Sequence, residues 1–395
     1  MALSYRTAGE SHGPTLAALV EGLPAGVPVD PGAIDRDLAR RQQGYGRGGR
    51  MAIEADRAEI LAGVRWGRTT GAPVLLAVRN RDWENWGAAM SPLAEHQGAI
   101  APTTQARPGH ADLAGCFQRG LSDARDVLER ASARETAARV AAGALAKALL
   151  HEVGIQVGSF VTSVGPVECP WGGDFPLLHA RAEDASLRMP DPEANARAAA
   201  RVDQAREAGD TLGGTFVCFA TGVPVGLGTH TAWADRLDGR LGLAFLSIPA
   251  IKGVEVGLGF DAARRPGSEV HDEVLPGGPG DGRRGGVRRA TNRAGGVEGG
   301  ITNGEELWVR AAMKPIPTLM RPLRTVDLAT GRPVLASKER SDVCAVPAAS
   351  VVGEAALAFE VARALLEKFG GDCLADLAQG LEAYLDRINR RWTTS

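Results

Sequence analysis

The stretch that most constrains this chain is RASARETAARVAAGALAKALLHEVG, residues 130–154. Ser132 and Glu135 have the S-x-x-E spacing of a capping box, and Gly154 closes the segment, so one helix is expected across it. Val140, Ala141, Ala144, Leu145, Ala148 and Leu149 form an apolar stripe at helical spacing. Side chains this small suit a helix packed closely on two sides. A similar helix is expected from about Ser350 to Phe369, stopped by Gly370-Gly371. Between the two lie GGTFVCFATGVPVGLG and EELWVRAAMKPIPT, which read as strands.

The N-terminal part carries its own signals. Leu16 to Glu21 is a short apolar run ended by the turn-forming Gly22-Leu23-Pro24-Ala25-Gly26. Asp30 reads as an N-cap with Pro31 in the first helical position, and the helix ends in Arg40 and Arg41. GYGRGGRMAIEAD then forms a glycine loop feeding a strand, and ILAGVRWGRTTGAPVLLAV follows as a hairpin. Residues 82–108 read as a polar connection. Gly222-Val223-Pro224-Val225-Gly226 echoes the earlier turn, which leaves internal duplication and chance recurrence both open. Residues 262–292 are rich in Gly, Arg and Pro and read as a mobile loop that orders when a site closes. No low-complexity linker divides residues 1–395, so one domain is expected.

Composition excludes several classes. Net charge is -2, which disfavours a nucleic-acid binder relying on overall positive charge. Cys116, Cys169, Cys218, Cys344 and Cys373 are scattered without a CxxC pair, as expected for reduced thiols in a cytoplasmic protein with no metal cluster. No apolar run approaches the ~18 residues of a membrane span, so no membrane partner is expected. Of the basic residues only Lys147, Lys252, Lys314, Lys338 and Lys368 are lysine; the rest are arginine, suited to bidentate recognition of carboxylate and phosphate.

The glycine loop matches G-x-G-x-x-G at 44–49, but a helix precedes it and a strand-like segment follows, the reverse of a dinucleotide fingerprint. It is better read with Arg40, Arg41, Arg47 and Arg50 as a phosphate and carboxylate pocket, against the plainer reading of a solvated charge run. Gly9-Glu10-Ser11-His12-Gly13 imitates a nucleophile elbow, yet its only nearby His is adjacent to the Ser and cannot serve as its distant base. Arg107 and His110 share a second turn. Arg130, Ser132 and Arg134 sit at a helix start, where free N–H groups favour anions. These arginines, two loop histidines and an aspartate, Asp342, fit proton and phosphate chemistry on a polyanion.

GESHG (9–13), RRQQGYGRGGR (40–50), RPGHAD (107–112), RASARET (130–136), TNRAGGVEGGITNG (291–304), KPIPT (314–318) and RSDVCAVPA (340–348) together resemble the hallmark segments of the chorismate synthase family. They occur in family order and span nearly the whole chain. The resemblance implies an α+β fold, a β-α-β sandwich with central helices between antiparallel-rich sheets, and a homotetramer. It implies a lyase of the shikimate pathway that forms chorismate from 5-enolpyruvylshikimate 3-phosphate. The reaction is an anti-1,4-elimination of phosphate and a C6 hydrogen that needs reduced FMN without net redox change. By the same resemblance Ser11, Arg41, Arg47, Arg50, Arg107 and Arg134 hold the substrate, and Arg41 and Arg47 match positions for NADP. Arg130, Ala131, Ser132, Pro249, Ala250, Gly299, Lys314, Pro315, Ile316, Pro317, Thr318 and Arg340 would meet FMN. His12 would stabilise or protonate the departing phosphate, His110 would hold a proton near flavin N1, and Asp342 would accept one linked to flavin N5. Ala131, Pro249 and Val343 stand where many members have Ser, Asn and Pro, so backbone or packing contacts are expected at 131 and 249. A flavin reductase oxidising NADPH and a non-catalytic flavin- or polyanion-binding protein are the alternatives. NADPH otherwise enters only as a reductant of the flavin.

Overall fold

The computed structural model describes residues 2–48, 55–278, 280–338 and 341–392. Its N-terminal sheet contains β1 (Ser4–Ala8), β2 (Thr15–Glu21), β3 (Ala58–Ala62) and β4 (Val74–Arg79), antiparallel in the order β1-β2-β4-β3. The second sheet contains β5 (Gln156–Val164), β6 (Val167–Glu168), β7 (Gly214–Thr221), β8 (Ile251–Val256) and β9 (Leu307–Met313), in the order β8-β9-β7-β5-β6. The principal helices are α1 (Pro31–Gln42), α2 (Asp112–Arg119), α3 (Arg125–Ala131), α4 (Thr136–Glu152), α5 (Phe175–Glu183), α6 (Pro192–Glu207), α7 (Leu237–Leu246), α8 (Val346–Phe369) and α9 (Leu374–Asn389).

The two long alanine-rich helices lie between the sheets. α4 packs on β2 and β4, α8 packs on β5 and β7, and the two helices meet each other; α1 and α7 flank them. This is the sandwich the family resemblance implied, built because neither helix has a polar face wide enough to meet water. Gly143 in α4 marks the closest approach: a Cβ there would lie 2.3 Å from the Ala355 Cβ of α8. In an exposed helix Gly→Ala stabilises by roughly 1 kcal/mol. Here the added methyl overpacks the crossing, and Gly143→Ala is expected to destabilise the fold by about 1–3 kcal/mol. A urea midpoint at or above the wild-type value would show that the helices do not meet as described.

One clasp is made twice. Thr69 Oγ1 donates to Pro24 O and accepts from Val27 N–H, and Thr302 Oγ1 donates to Pro224 O and accepts from Leu227 N–H. Each threonine thus closes one of the two Gly-x-Pro-x-Gly turns that echo each other in sequence.

α1 starts as expected, with the Asp30 side chain accepting from Gly32 N–H and Pro31 at N1. The helix expected to open at residue 130 is broken instead. α3 ends at Ala131, Ser132 is extended, a single 3-10 turn covers Ala133–Glu135, and α4 begins at Thr136. The capping box is therefore corrected. Ser132 does cap, accepting from Arg134 N–H at 3.3 Å, but the Glu135 carboxylate accepts from Thr7 and Arg139. Residues 340–342 precede α8, which is followed by a further helix, α9. The strand expected at 51–53 lies outside the described residues. Within 262–292 the described chain forms 3-10 turns and a small hairpin, Val274–Pro276 with Val287–Arg289. No helix among the described residues is long and apolar enough to cross a membrane.

Candidate active site

The break before α4 is where the site forms. The β1–β2 turn reaches it through Gly9, whose φ of 104° and close approach to Thr15 O (2.3 Å from a hypothetical Cβ) only glycine accepts. Ser11 N–H donates to Glu129 O, and Asn80 donates to the carbonyls of Ser11 and Gly13, so the turn is pinned from both sides. Ser132 Oγ donates to Ser11 Oγ at 3.2 Å. The GESHG and RASARET segments, more than a hundred residues apart, are thereby one wall.

Buried carboxylates set the cations. Asp56 accepts from Arg41 at 2.9 Å and from Arg134 at 2.6 and 2.7 Å. Burial raises the Asp56 carboxyl, but Arg134 and Arg41 outweigh it and hold it below the usual range. Arg41 is only 4% exposed, and its Nε has no hydrogen-bond partner among the described residues. Burial lowers the Arg41 pKa; Asp56 opposes this, and the charges of Arg134 and Arg47 add to it. A buried cation crowded by two others, with a donor to spare, is suited to an anion.

Around this centre, Arg107 grips Asp112 through Nε at 2.8 Å and Nη2 at 3.1 Å, and His110 Nδ1 meets the same carboxylate at 2.5 Å. Burial raises Asp112, but hydrogen bonds from His110 and Arg107 hold it well below the usual range. Arg107 reaches Thr318 at 3.5 Å, and Lys314 Nζ donates to Gly109 O, which joins the RPGHAD and KPIPT segments. Asp342 lies 3.3 Å from Arg47 and accepts Gly48 N–H at 2.6 Å. His12 Nδ1 meets Glu129 at 2.8 Å, and its ring stacks on Trp86, 3.9 Å between centroids.

The residues assigned to a flavin divide into groups. Arg130 donates to Thr7 and Gly9 carbonyls beside Ser132. Ala250 accepts Lys314 N–H at 2.9 Å and holds φ 69°, a strained value for a residue with a Cβ. Thr211 donates to Ile316 O, fixing the turn through Pro315 and Pro317. Ala131 ends α3, and Pro249 follows α7. Gly299 stands apart: its hairpin meets the start of α7 through Gly300 O, whereas Pro249 and Ala250 follow the other end of that ten-residue helix, about 15 Å away. Arg50 and Arg340 lie outside the described residues.

Sequence reasoning missed the carboxylates Asp56 and Glu129, and it quoted Asp112 without a role. Trp86 and Arg125 also went unread. Asp56 meets Arg134 across 78 residues and Glu129 meets His12 across 117, so no spacing announces either pair.

The family model described as chorismate synthase matches residues 3–366. A chorismate synthase of Trichlorobacter lovleyi is 55% identical over 386 residues, covering 97% of this chain and 98% of that protein. One of Symbiobacterium thermophilum is 56% identical over 396 residues, covering 98% and 100%. A crystal structure of a chorismate synthase superposes with a TM-score of 0.79 at 43% identity, covering 98% of this chain and 99% of that one.

Proposed function

The chain belongs to the chorismate synthase family of lyases, and from that premise we propose that its arginine-lined break before α4 is where 5-enolpyruvylshikimate 3-phosphate loses phosphate to give chorismate. The observation that carries this is Arg41: buried, short of one acceptor, and crowded by Arg134 and Arg47. The substrate's phosphate and carboxylates supply the missing negative charge to Arg41, Arg47, Arg50, Arg107 and Arg134, with Ser11 beside them. Positive charge fixed before the reaction, in a site with little water, stabilises the leaving phosphate without reorganisation. His12 stabilises or protonates that phosphate, His110 holds a proton on the flavin side, and Asp342 accepts one.

The donor set also suits a flavin phosphate. Arg130, Ser132, Lys314 and Thr318 offer cationic and hydroxyl groups, and the turned peptide at Ala250 brings backbone to the same region. These residues, with Ala131, Pro249 and Pro315 to Pro317, would hold FMN; Gly299 and Arg340 belong to the same proposed set by family resemblance. Bound there, reduced FMN would supply transient electron donation that eases loss of phosphate with no net redox change. NADPH serves only as a reductant of that flavin, through Arg41 and Arg47. Free thiols on all five cysteines support a reducing, cytoplasmic setting, and the homotetramer rests on the family.

Anaerobic incubation with chemically reduced FMN and the enolpyruvyl substrate should release phosphate and chorismate together. NADPH oxidation without phosphate release would identify a flavin reductase, and ligand binding without turnover a non-catalytic binder. Arg41→Gln removes the charge at similar length. A charge-assisted hydrogen bond contributes about 1.5–3 kcal/mol, so substrate Kd should rise on the order of 10- to 100-fold. An unchanged Kd would place Arg41 outside the anion pocket.

A further inference from the structure

We propose that Glu129 is the positioning residue of His12, fixing which ring nitrogen carries the exchangeable proton. The proposal rests on the reading that His12 serves the departing phosphate. Glu129 stands in the last turn of α3 with its side chain 1% exposed. Its two oxygens lie 2.8 and 3.0 Å from His12 Nδ1, and Oε2 also accepts the His12 backbone N–H at 2.8 Å. One carboxylate therefore holds both the backbone and the ring of the same residue. Arg125, one helical turn earlier, donates to Oε1 at 3.4 Å.

An ionised carboxylate accepts and cannot donate, so it requires the proton on Nδ1 and leaves Nε2 as the nitrogen that gains and loses one. Burial raises the Glu129 carboxyl, and the contacts with His12 and Arg125 reverse that and hold it below the usual range, so it stays ionised. Rotation is restrained as well. Trp86 stacks on the imidazole with planes 28° apart, Trp86 Nε1 is tied to Asp82 at 3.0 Å, and the Arg125 guanidinium sits 5.4 Å from the indole centroid. Glu129, Arg125 and Trp86 thus fix the ring's tautomer, tilt and plane.

Glu129→Gln preserves shape but gives Nδ1 a partner that can donate as well as accept, which permits the other tautomer. Carboxylates that orient metal-bound histidines carry about 10- to 100-fold in activity, and an orienting partner of a proton-transferring histidine is expected to carry a comparable factor. Anaerobic kinetics with reduced FMN should show kcat reduced by that factor and substrate KM within about threefold, since no substrate cation is touched. Nitrogen-15 histidine spectra, with the His12 signal assigned by its loss in His12→Ala, should show Nδ1–H in the parent and a mixture in Glu129→Gln. If Glu129→Gln keeps the parent kcat while His12→Ala is inactive, the positioning role is overturned and the role of His12 stands. Normal turnover by His12→Ala would remove the catalytic reading of His12; the spectra alone then decide, and an unchanged tautomer in Glu129→Gln overturns the proposal. Should Glu129→Gln not fold, Glu129→Asp takes its place, and a parent-like spectrum with parent-like kcat in that variant supports the requirement for charge.

Discussion

Asp342→Asn should lower turnover by about 10²- to 10⁴-fold, the range lost when a general base is removed. The amide has the size of the carboxylate but no basicity. The structure adds a second consequence that the sequence did not suggest. Asp342 lies 3.3 Å from Arg47 and accepts Gly48 N–H at 2.6 Å, so it also holds the arginine loop against the segment before α8. Substrate KM should therefore rise as well. The two roles separate in the ratio of effects. A base costs far more in kcat than in KM, whereas a mere anchor for Arg47, one of the proposed substrate arginines, confines the loss to binding. A variant whose kcat stays within a few-fold of the parent would assign Asp342 to the anchor alone.

Glu354→Ala should destabilise the fold by about 3–5 kcal/mol, because it strips a fully buried carboxylate from cations that stay behind. Glu354 in α8 has a side-chain exposure of 0% and accepts from Arg40 at 2.7 and 2.9 Å, Lys147 at 2.7 Å, Ser159 at 2.6 Å and Arg188 at 3.2 Å. Asp37 and Glu183 complete the network, so Arg40, Lys147 and Arg188 face three carboxylates, and α1, α4, α8 and β5 are tied at one point. His179 and Glu183 come near Glu354 at metal-binding range, but guanidinium and ammonium groups already neutralise those carboxylates. Burial raises the Glu354 and Glu183 carboxyls and their cationic partners reverse it, to well below normal for Glu354 and to about 2 for Glu183. A folded-state pKa below the unfolded value of 4.5 means that the stabilisation is complete above that pH and is lost as pH falls toward 2. Urea midpoints measured from pH 6 down to pH 3 should fall along this limb in the parent and change less in Glu354→Gln. A midpoint for Glu354→Ala close to the parent's would mean that the buried charges find other partners.

What could be read from sequence was local. Asp30-Pro31 opens α1 as written, because a side chain two residues from its target needs no help from the rest of the fold. The alanine stripe marked α4 as a helix buried between layers, and of the seven short segments the structure joins GESHG to RASARET and RPGHAD to KPIPT. The S-x-x-E spacing misled because Glu135 found Thr7, 128 residues away, and Arg139 in the first turn of α4. α6 begins with Asp191-Pro192, the same signal as α1, yet it buries mainly alanines (Ala194, Ala198, Ala205) around Val202, so its periodicity is faint. Two of the carboxylates behind the cations, Asp56 and Glu129, could not be read at all. Asp56 meets Arg134 across 78 residues and Glu129 meets His12 across 117, and only the folded chain sets such distances.

Those carboxylates also decide how the pocket looks from outside. Arg41 and Arg134 share Asp56, Arg107 rests on Asp112, Arg125 on Glu129, and Arg47 faces Asp342. These pairings offset most of the charge and leave Arg41 and Arg134 with one carboxylate between them, while the ~8 Å Debye length at physiological salt screens what reaches beyond the site. Attraction is felt only at contact range, by a ligand small enough to enter and shaped to place its negative oxygens on donors already aimed. Under the proposed function, discrimination among the cell's many phosphates then rests on geometry inside the cleft, with little contribution from long-range capture.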